Sequence, residues 1–192
     1  MAYVKLKNLF EEQSLLNDIN GILNWDMATY MPQNSRNQRV RQMQKILDYK
    51  KSIFEQIKKN ELFKKINNSS LSPEDKLNLN LMKDKFEYFD IVPYEYIKKK
   101  TSLAILCEGE WRKAKIKSNF NLVKKSFKKL VDVIKIESEI LSQKKDKTKY
   151  DCLLSKYDRS LTSSRITKIF SRIESFLKKN IPLILKKQRS YK

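Results

Sequence analysis

Glycine is almost absent from this chain of 192 residues, which contains only Gly21 and Gly109. The four prolines stand between long segments in which apolar residues have helical spacing. Sheets need tight turns, and tight turns depend on glycine and proline at defined positions. The sequence therefore predicts an all-α fold.

The first helices should form an antiparallel hairpin. Apolar residues recur every three or four positions over residues 4–23, which predicts a helix that ends near Trp25. The corner at Met31-Pro32 separates it from a second periodic segment. Because the connection is short, the two helices should pack side by side over about residues 4–66.

Further long helices are predicted downstream. Ser72-Pro73 favours a helix start, because a hydroxyl side chain caps the free amide groups and proline suits the first helical position. Pro182 is expected to interrupt the last helix, because proline cannot donate an intrahelical hydrogen bond. The predicted segments beyond the hairpin are 73–145 and 162–188, and all of them together form one helical region, 1–192.

Histidine is absent, and this restricts the possible chemistry more than any other feature. Without histidine there is no H-E-x-x-H zinc site, no Ser-His or Cys-His pair and no imidazole base. Glu108 and Glu110 lie two residues apart on a predicted helix and point in different directions. We therefore predict no catalytic residue, no metal ligand and no cofactor site in this chain.

The net charge of +20 is concentrated in the second half of the chain. Residues 1–90 contain 15 basic and 12 acidic residues, whereas residues 91–192 contain 27 and 10. A basic region can bind nucleic acid or an acidic protein. A solvated basic face is the commoner explanation, so we consider nucleic acid a less favoured partner.

No segment has the roughly 20 consecutive apolar residues of a membrane helix. The first ten residues lack the order of a secretory signal. Cys107 and Cys152 have no metal-ligand spacing and are interpreted as unpaired thiols. We expect a cytoplasmic protein without a membrane partner.

Three segments of the chain have the spacing of a known motif set. The residues of the first are Trp25, Asp26, Thr29, Met31 and Pro32, followed by Arg39 and Gln42. The second contains Trp111, and the third contains Tyr150 and Asp151. Together they resemble the Taq-type zinc metallocarboxypeptidases, because the first segment is similar to the W-D-x-x-T-x-M-P motif of that family and Arg39 and Gln42 follow it at the expected interval.

The resemblance implies the N-terminal portion of a neurolysin-like helical metallopeptidase fold. It also implies that C-terminal residues are removed from peptides by an enzyme that uses zinc. In the family the zinc ligands follow in a later half, so we expect this chain to be truncated before them and inactive alone. The implied partner is a separate C-terminal peptidase half, with self-association as an alternative.

The positions that match the family motifs are interpreted as structural or lining a cleft. Trp25 is expected to be a core anchor, and Asp26 either a helix cap or a buried partner of Arg39. Two other functions stay open: a basic helical module that binds nucleic acid or an acidic protein, and a decayed gene product without activity.

Overall fold

The computed structural model describes residues 1–190, and among them it contains helices and turns but no strand. The all-α prediction is confirmed. The long helices are α1 (Ala2–Thr29), α2 (Arg36–Lys59), α3 (Pro73–Ile91), α4 (Tyr94–Ile116), α5 (Asn121–Lys145) and α7 (Ser163–Arg189), with a short α6 (Lys149–Leu154). Single turns of 3₁₀-helix, Gln33–Ser35 and Asn68–Ser70, stand in two of the connections.

Helices α1 and α2 form the predicted antiparallel hairpin. Leu6 and Phe10 near the start of α1 share a buried cluster with Phe54 and Ile57 near the end of α2. The rings of Phe10 and Phe54 meet edge to face with centroids 5.9 Å apart. Burial of this apolar surface is the main stabilising contribution to the hairpin.

Helix α1 is one turn longer than predicted, since it continues past Trp25 to Thr29. The Thr29 hydroxyl donates to the Trp25 carbonyl oxygen at 2.8 Å, within the last turn. The helix then ends because the residue before Pro32 is biased away from helical backbone angles. The end of α1 is therefore determined by the proline and not by the aromatic residue.

The start of α3 and the region around Pro182 can also be compared with the predictions. The Ser72 side chain accepts from the amide of Asp75 and Pro73 begins α3, as predicted. Helix α7 continues through Pro182 without interruption, so that prediction is wrong. Proline removes one intrahelical hydrogen bond, and several helical turns on each side keep the remaining ones.

The described chain forms two compact units, Met1–Glu137 and Ser138–Lys192. The prediction of one helical region stays a prediction. In the first unit Cys107, Ala114 and Val123 form a smaller buried cluster beyond the one within the hairpin. No helix of residues 1–190 is long and apolar enough to cross a bilayer.

A polar contact between α2 and α4 should make stability depend on pH. The Tyr94 hydroxyl donates to the Asp48 carboxylate, and this bond is the largest cause of the lowered pKa of Asp48. A carboxyl with a lowered folded-state pKa contributes stability above its unfolded pKa, and this contribution is lost as the pH falls through the folded value. Asp48 is partly exposed, so solvent keeps the effect small.

We expect Tyr94→Phe to lower the free energy of unfolding by about 1 kcal/mol at about pH 7. The difference from the unsubstituted protein should shrink below about pH 4, where the carboxyl becomes protonated. Urea unfolding at several pH values measures it, and Tyr96→Phe on the same helix is the control. A difference that persists unchanged to about pH 3 would contradict this assignment.

Candidate functional site

The motif residues occupy the end of α1 and the corner that leads to α2. Trp25, Asp26 and Thr29 lie in the last turns of α1. Met31 is half-buried, and Pro32 stands at the start of the 3₁₀ turn. The motif therefore coincides with the tip of the hairpin opposite the Phe10 cluster.

A buried arginine joins the two helices at this tip. Arg39 is 8% exposed, and it is paired with the carboxylate of Asp26 and also donates to the carbonyl oxygen of Leu23. Burying a guanidinium is unfavourable unless its charge is paired and its hydrogen bonds are made. Of the two expected roles of Asp26, partner of Arg39 is the one observed, but Asp26 itself is only partly buried, with a side chain that is 35% exposed.

The two tryptophans are not in the core. Trp25 is 59% exposed and Trp111 is 47% exposed, so the expectation that Trp25 is a core anchor is wrong. The buried residues of α1 lie in its first half, between Leu6 and Gln13, whereas Trp25 lies in the last turns of the helix, edge to face with Tyr30. Helical periodicity predicts an apolar stripe but does not say how much of it a neighbour covers.

Helix α4 reaches the same tip through charged side chains. Arg112, next to Trp111 in the chain, donates to the carbonyl oxygen of Ala28 near the end of α1 at 3.1 Å. The ammonium of Lys115 lies 5.3 Å from the centre of the Trp111 ring. Gln42, in contrast, is exposed on α2.

Sequence reasoning missed the residue that links these helices. The Glu108 carboxylate is paired with Arg36 of α2, with 2.5 Å between Nη1 and Oε2, and with Arg112 of its own helix. Arg36 also donates to the Ile105 carbonyl oxygen at 3.2 Å. Arg36 and Glu108 are 72 positions apart, so no local spacing could have paired them.

Gly109 makes this network possible. A methyl group built on Gly109 would overlap the side chain of Arg36. Glycine therefore lets the guanidinium lie directly against α4. Of the two glycines, only Gly109 has this role, because Gly21 has open space around it.

The third motif segment, with Tyr150 and Asp151, belongs to the second unit. Tyr150 is 62% exposed. Asp151 accepts a hydrogen bond from the amide of Ser163, at 2.6 Å, and so connects α6 to the first residue of α7. This backbone bond is the largest cause that lowers the pKa of Asp151. A carboxylate at a helix N-terminus caps the helix, which is a structural role.

The side chains present do not fit a catalytic zinc ion. Such a site needs three or four converging histidine, cysteine or carboxylate ligands. The chain has no histidine, and within residues 1–190 no three potential ligands come together. No metal-dependent step can be derived from these residues.

Solved structures with the same architecture include two that are named as carboxypeptidases. The fold matches metallocarboxypeptidase 1 of Trypanosoma cruzi with a TM-score of 0.80 and 21% identity over 99% of this chain and 38% of that chain. For the protein BsuCP the TM-score is 0.81, with 20% identity over 91% and 35% of the chains. For a carboxypeptidase of Pyrococcus furiosus it is 0.77, with 19% identity over 97% and 37%.

These matches define the class as a helical metallocarboxypeptidase fold. The sequence profile of the carboxypeptidase Taq (M32) metallopeptidases matches residues 5–192. The chain belongs to the carboxypeptidase Taq (M32) family. It spans little more than a third of the length of the solved structures that it matches, and a comparison with curated protein sequences finds no match.

The first prediction from the site concerns the Asp26–Arg39 pair. Asp26→Asn keeps the size of the side chain but leaves a buried guanidinium without its counter-charge. We expect the free energy of unfolding to fall by about 1–3 kcal/mol. Asp18→Asn, at an exposed position of the same helix, should change it by less than about 0.5 kcal/mol. Equal effects of the two substitutions in urea unfolding would show that the pair contributes nothing.

The second prediction compares the two glycines. Gly21→Ala should stabilise the protein by about 0.5–1 kcal/mol, because alanine has the higher helix propensity. Gly109→Ala should lack this gain, because the Arg36 side chain must move away from Glu108 and the lost contact, about 1 kcal/mol, offsets the higher helix propensity of alanine. In an Arg36→Ala background Gly109→Ala should stabilise the protein as Gly21→Ala does, and a double-mutant cycle measures this coupling. A gain at Gly109 in the unsubstituted background equal to that at Gly21 would contradict the prediction.

Proposed function

We propose that this chain is the N-terminal helical part of a zinc metallocarboxypeptidase that removes C-terminal residues from peptides. The observation that carries the proposal is the family match over residues 5–192. The related structures are named as carboxypeptidases and have chains more than twice as long. A polypeptide that contains the zinc site would therefore complete the enzyme.

The chain by itself is inactive in this proposal. A zinc-dependent peptidase needs metal ligands and a general base that activates the attacking water. Neither is supplied here, because histidine is absent from the sequence and no cluster of ligating side chains occurs among residues 1–190. Zinc, when bound by the completing polypeptide, would polarise the scissile carbonyl and activate water.

The contribution of this chain is structural support. The Asp26–Arg39 pair and the Glu108 network fix the ends of α1, α2 and α4 relative to one another. Trp25, Tyr30 and Trp111 stay exposed near these ends. These aromatic side chains are suited to line a peptide cleft once the remaining fold is present. A cytoplasmic location belongs to the same proposal, supported by the free thiols of Cys107 and Cys152.

A second candidate function rests on charge. Helix α7 contains eight basic residues and one acidic residue, and all of the basic ones are exposed. Such a surface can bind nucleic acid through phosphate contacts, with an affinity that falls steeply as salt rises. Binding to DNA or RNA near physiological salt would favour this alternative, and its absence would remove it.

The test of the main proposal is a mixing experiment. Purified chain is combined with a polypeptide from the same cells that contains H-E-x-x-H, with added zinc, and the release of C-terminal amino acids from blocked peptides is measured. We expect activity from the mixture and none from either chain alone. The control replaces the glutamate of H-E-x-x-H in the second chain by glutamine, which should abolish the activity. A stable complex without activity, or activity of this chain alone, would contradict the proposal.

A further inference from the structure

Helix α7 presents an uncovered apolar face. None of its residues is buried in the described chain, and its phenylalanines, Phe170 and Phe176, are 64% and 65% exposed. Spacing of three and four positions places the apolar residues on one side of the helix. The apolar face consists of Ile169, Phe170, Ile173, Phe176, Leu177 and Ile181.

A continuous apolar face of this length marks a docking surface in a soluble protein. Several of its members also line a shallow groove on α7, with Pro182 at one end. An amphipathic helix of 27 residues gains most of its stability from packing that face against another element. The face therefore requires an occupant.

Charge argues against a second copy of this chain as that occupant. In a symmetric pair each apolar face would meet the same face of the other copy. The basic side chains beside the face, among them Arg165 and Arg172, would then approach their counterparts. Glu174 is the only acidic residue of α7 and is already paired with Lys178, 2.6 Å away. A partner with acidic residues around an apolar centre fits this charge distribution.

A lipid surface would cover fewer of the exposed apolar side chains than a polypeptide would. An amphipathic helix on a membrane accounts only for its own apolar face. The first unit also exposes large apolar side chains, including Ile116 at 80%, Phe120 at 62% and Phe127 at 49%. A large polypeptide can cover such residues as well, and the Trypanosoma cruzi relative has a chain of which this one covers only 38%.

We infer that the apolar face of α7 is the docking surface for the zinc-containing polypeptide that completes the fold, and that this polypeptide presents an apolar centre with acidic residues at its margin. The inference rests on the proposed function and adds the location of the contact and the chemistry of the partner's surface.

Site-specific photo-crosslinking in the native cells tests the contact. A photoreactive phenylalanine analogue is placed at position 173, within the face, and in a separate variant at position 175. Two positions correspond to about 200° around a helix, so Ser175 lies on the other side of α7. Cross-linked products are identified by mass spectrometry.

We expect position 173, but not position 175, to give an adduct with a polypeptide that contains H-E-x-x-H. An adduct with a second copy of the chain, with lipid or with nucleic acid would overturn the inference. So would equal labelling from both positions, or no adduct from position 173.

A binding measurement separates this inference from the proposed function. Ile173→Asp should weaken the affinity for the purified zinc-containing polypeptide at least about tenfold, because it places a charge within the apolar face. Ser175→Asp should change the affinity less than about twofold. Circular dichroism must show unchanged helix content in both variants.

If the unsubstituted chains form an active mixture and Ile173→Asp binds equally well, the docking surface is wrong and the proposed function stands. If the unsubstituted mixture is inactive, the proposed function is wrong, and the docking inference, which rests on it, is wrong as well.

Discussion

The end of the α1–α2 hairpin in the first unit depends on the ion pair between Asp26 and the buried side chain of Arg39. The apolar cluster around Leu6 and Ile57 holds one end of the α1–α2 hairpin. The other end has exposed side chains on α1 such as Ile22 and Trp25, so fewer apolar contacts hold it. A guanidinium that is 8% exposed must keep its carboxylate. The pair therefore determines where α1 ends relative to α2, and the carbonyl contact of Arg112 attaches α4 to the same end.

The sequence predicted those helix boundaries that depend on neighbouring residues in the chain. The Ser72 cap and the corner at Pro32 lie where the sequence places them, because each depends on residues next to it in the chain. The Glu108 network has partners 72 positions away, and no spacing rule reaches that far. The expected burial of Trp25 failed for a related reason, since periodicity identifies an apolar side chain without identifying what covers it.

Family membership and missing catalytic groups are compatible because the matched residues position helices. Asp26 and Arg39 bind each other, and Asp151 caps the start of α7. Each of these charges is engaged in a contact at a helix end. The matched motif residues therefore position the helices relative to one another. The chain contains no histidine that could act as a metal ligand.

The exposed apolar face of α7 lies beside basic side chains, and the two features together carry the docking proposal. The chain covers little more than a third of the length of its structural relatives, and an apolar face of this size marks a docking surface. Basic residues beside that face would be unfavourable against another basic surface and favourable against an acidic one. In the proposed contact the excess of positive charge in the second half favours an acidic partner surface, and burial of the apolar face stabilises the complex. Charge alone would have suggested nucleic acid, but a phosphate backbone does not bury phenylalanine side chains such as Phe170 and Phe176.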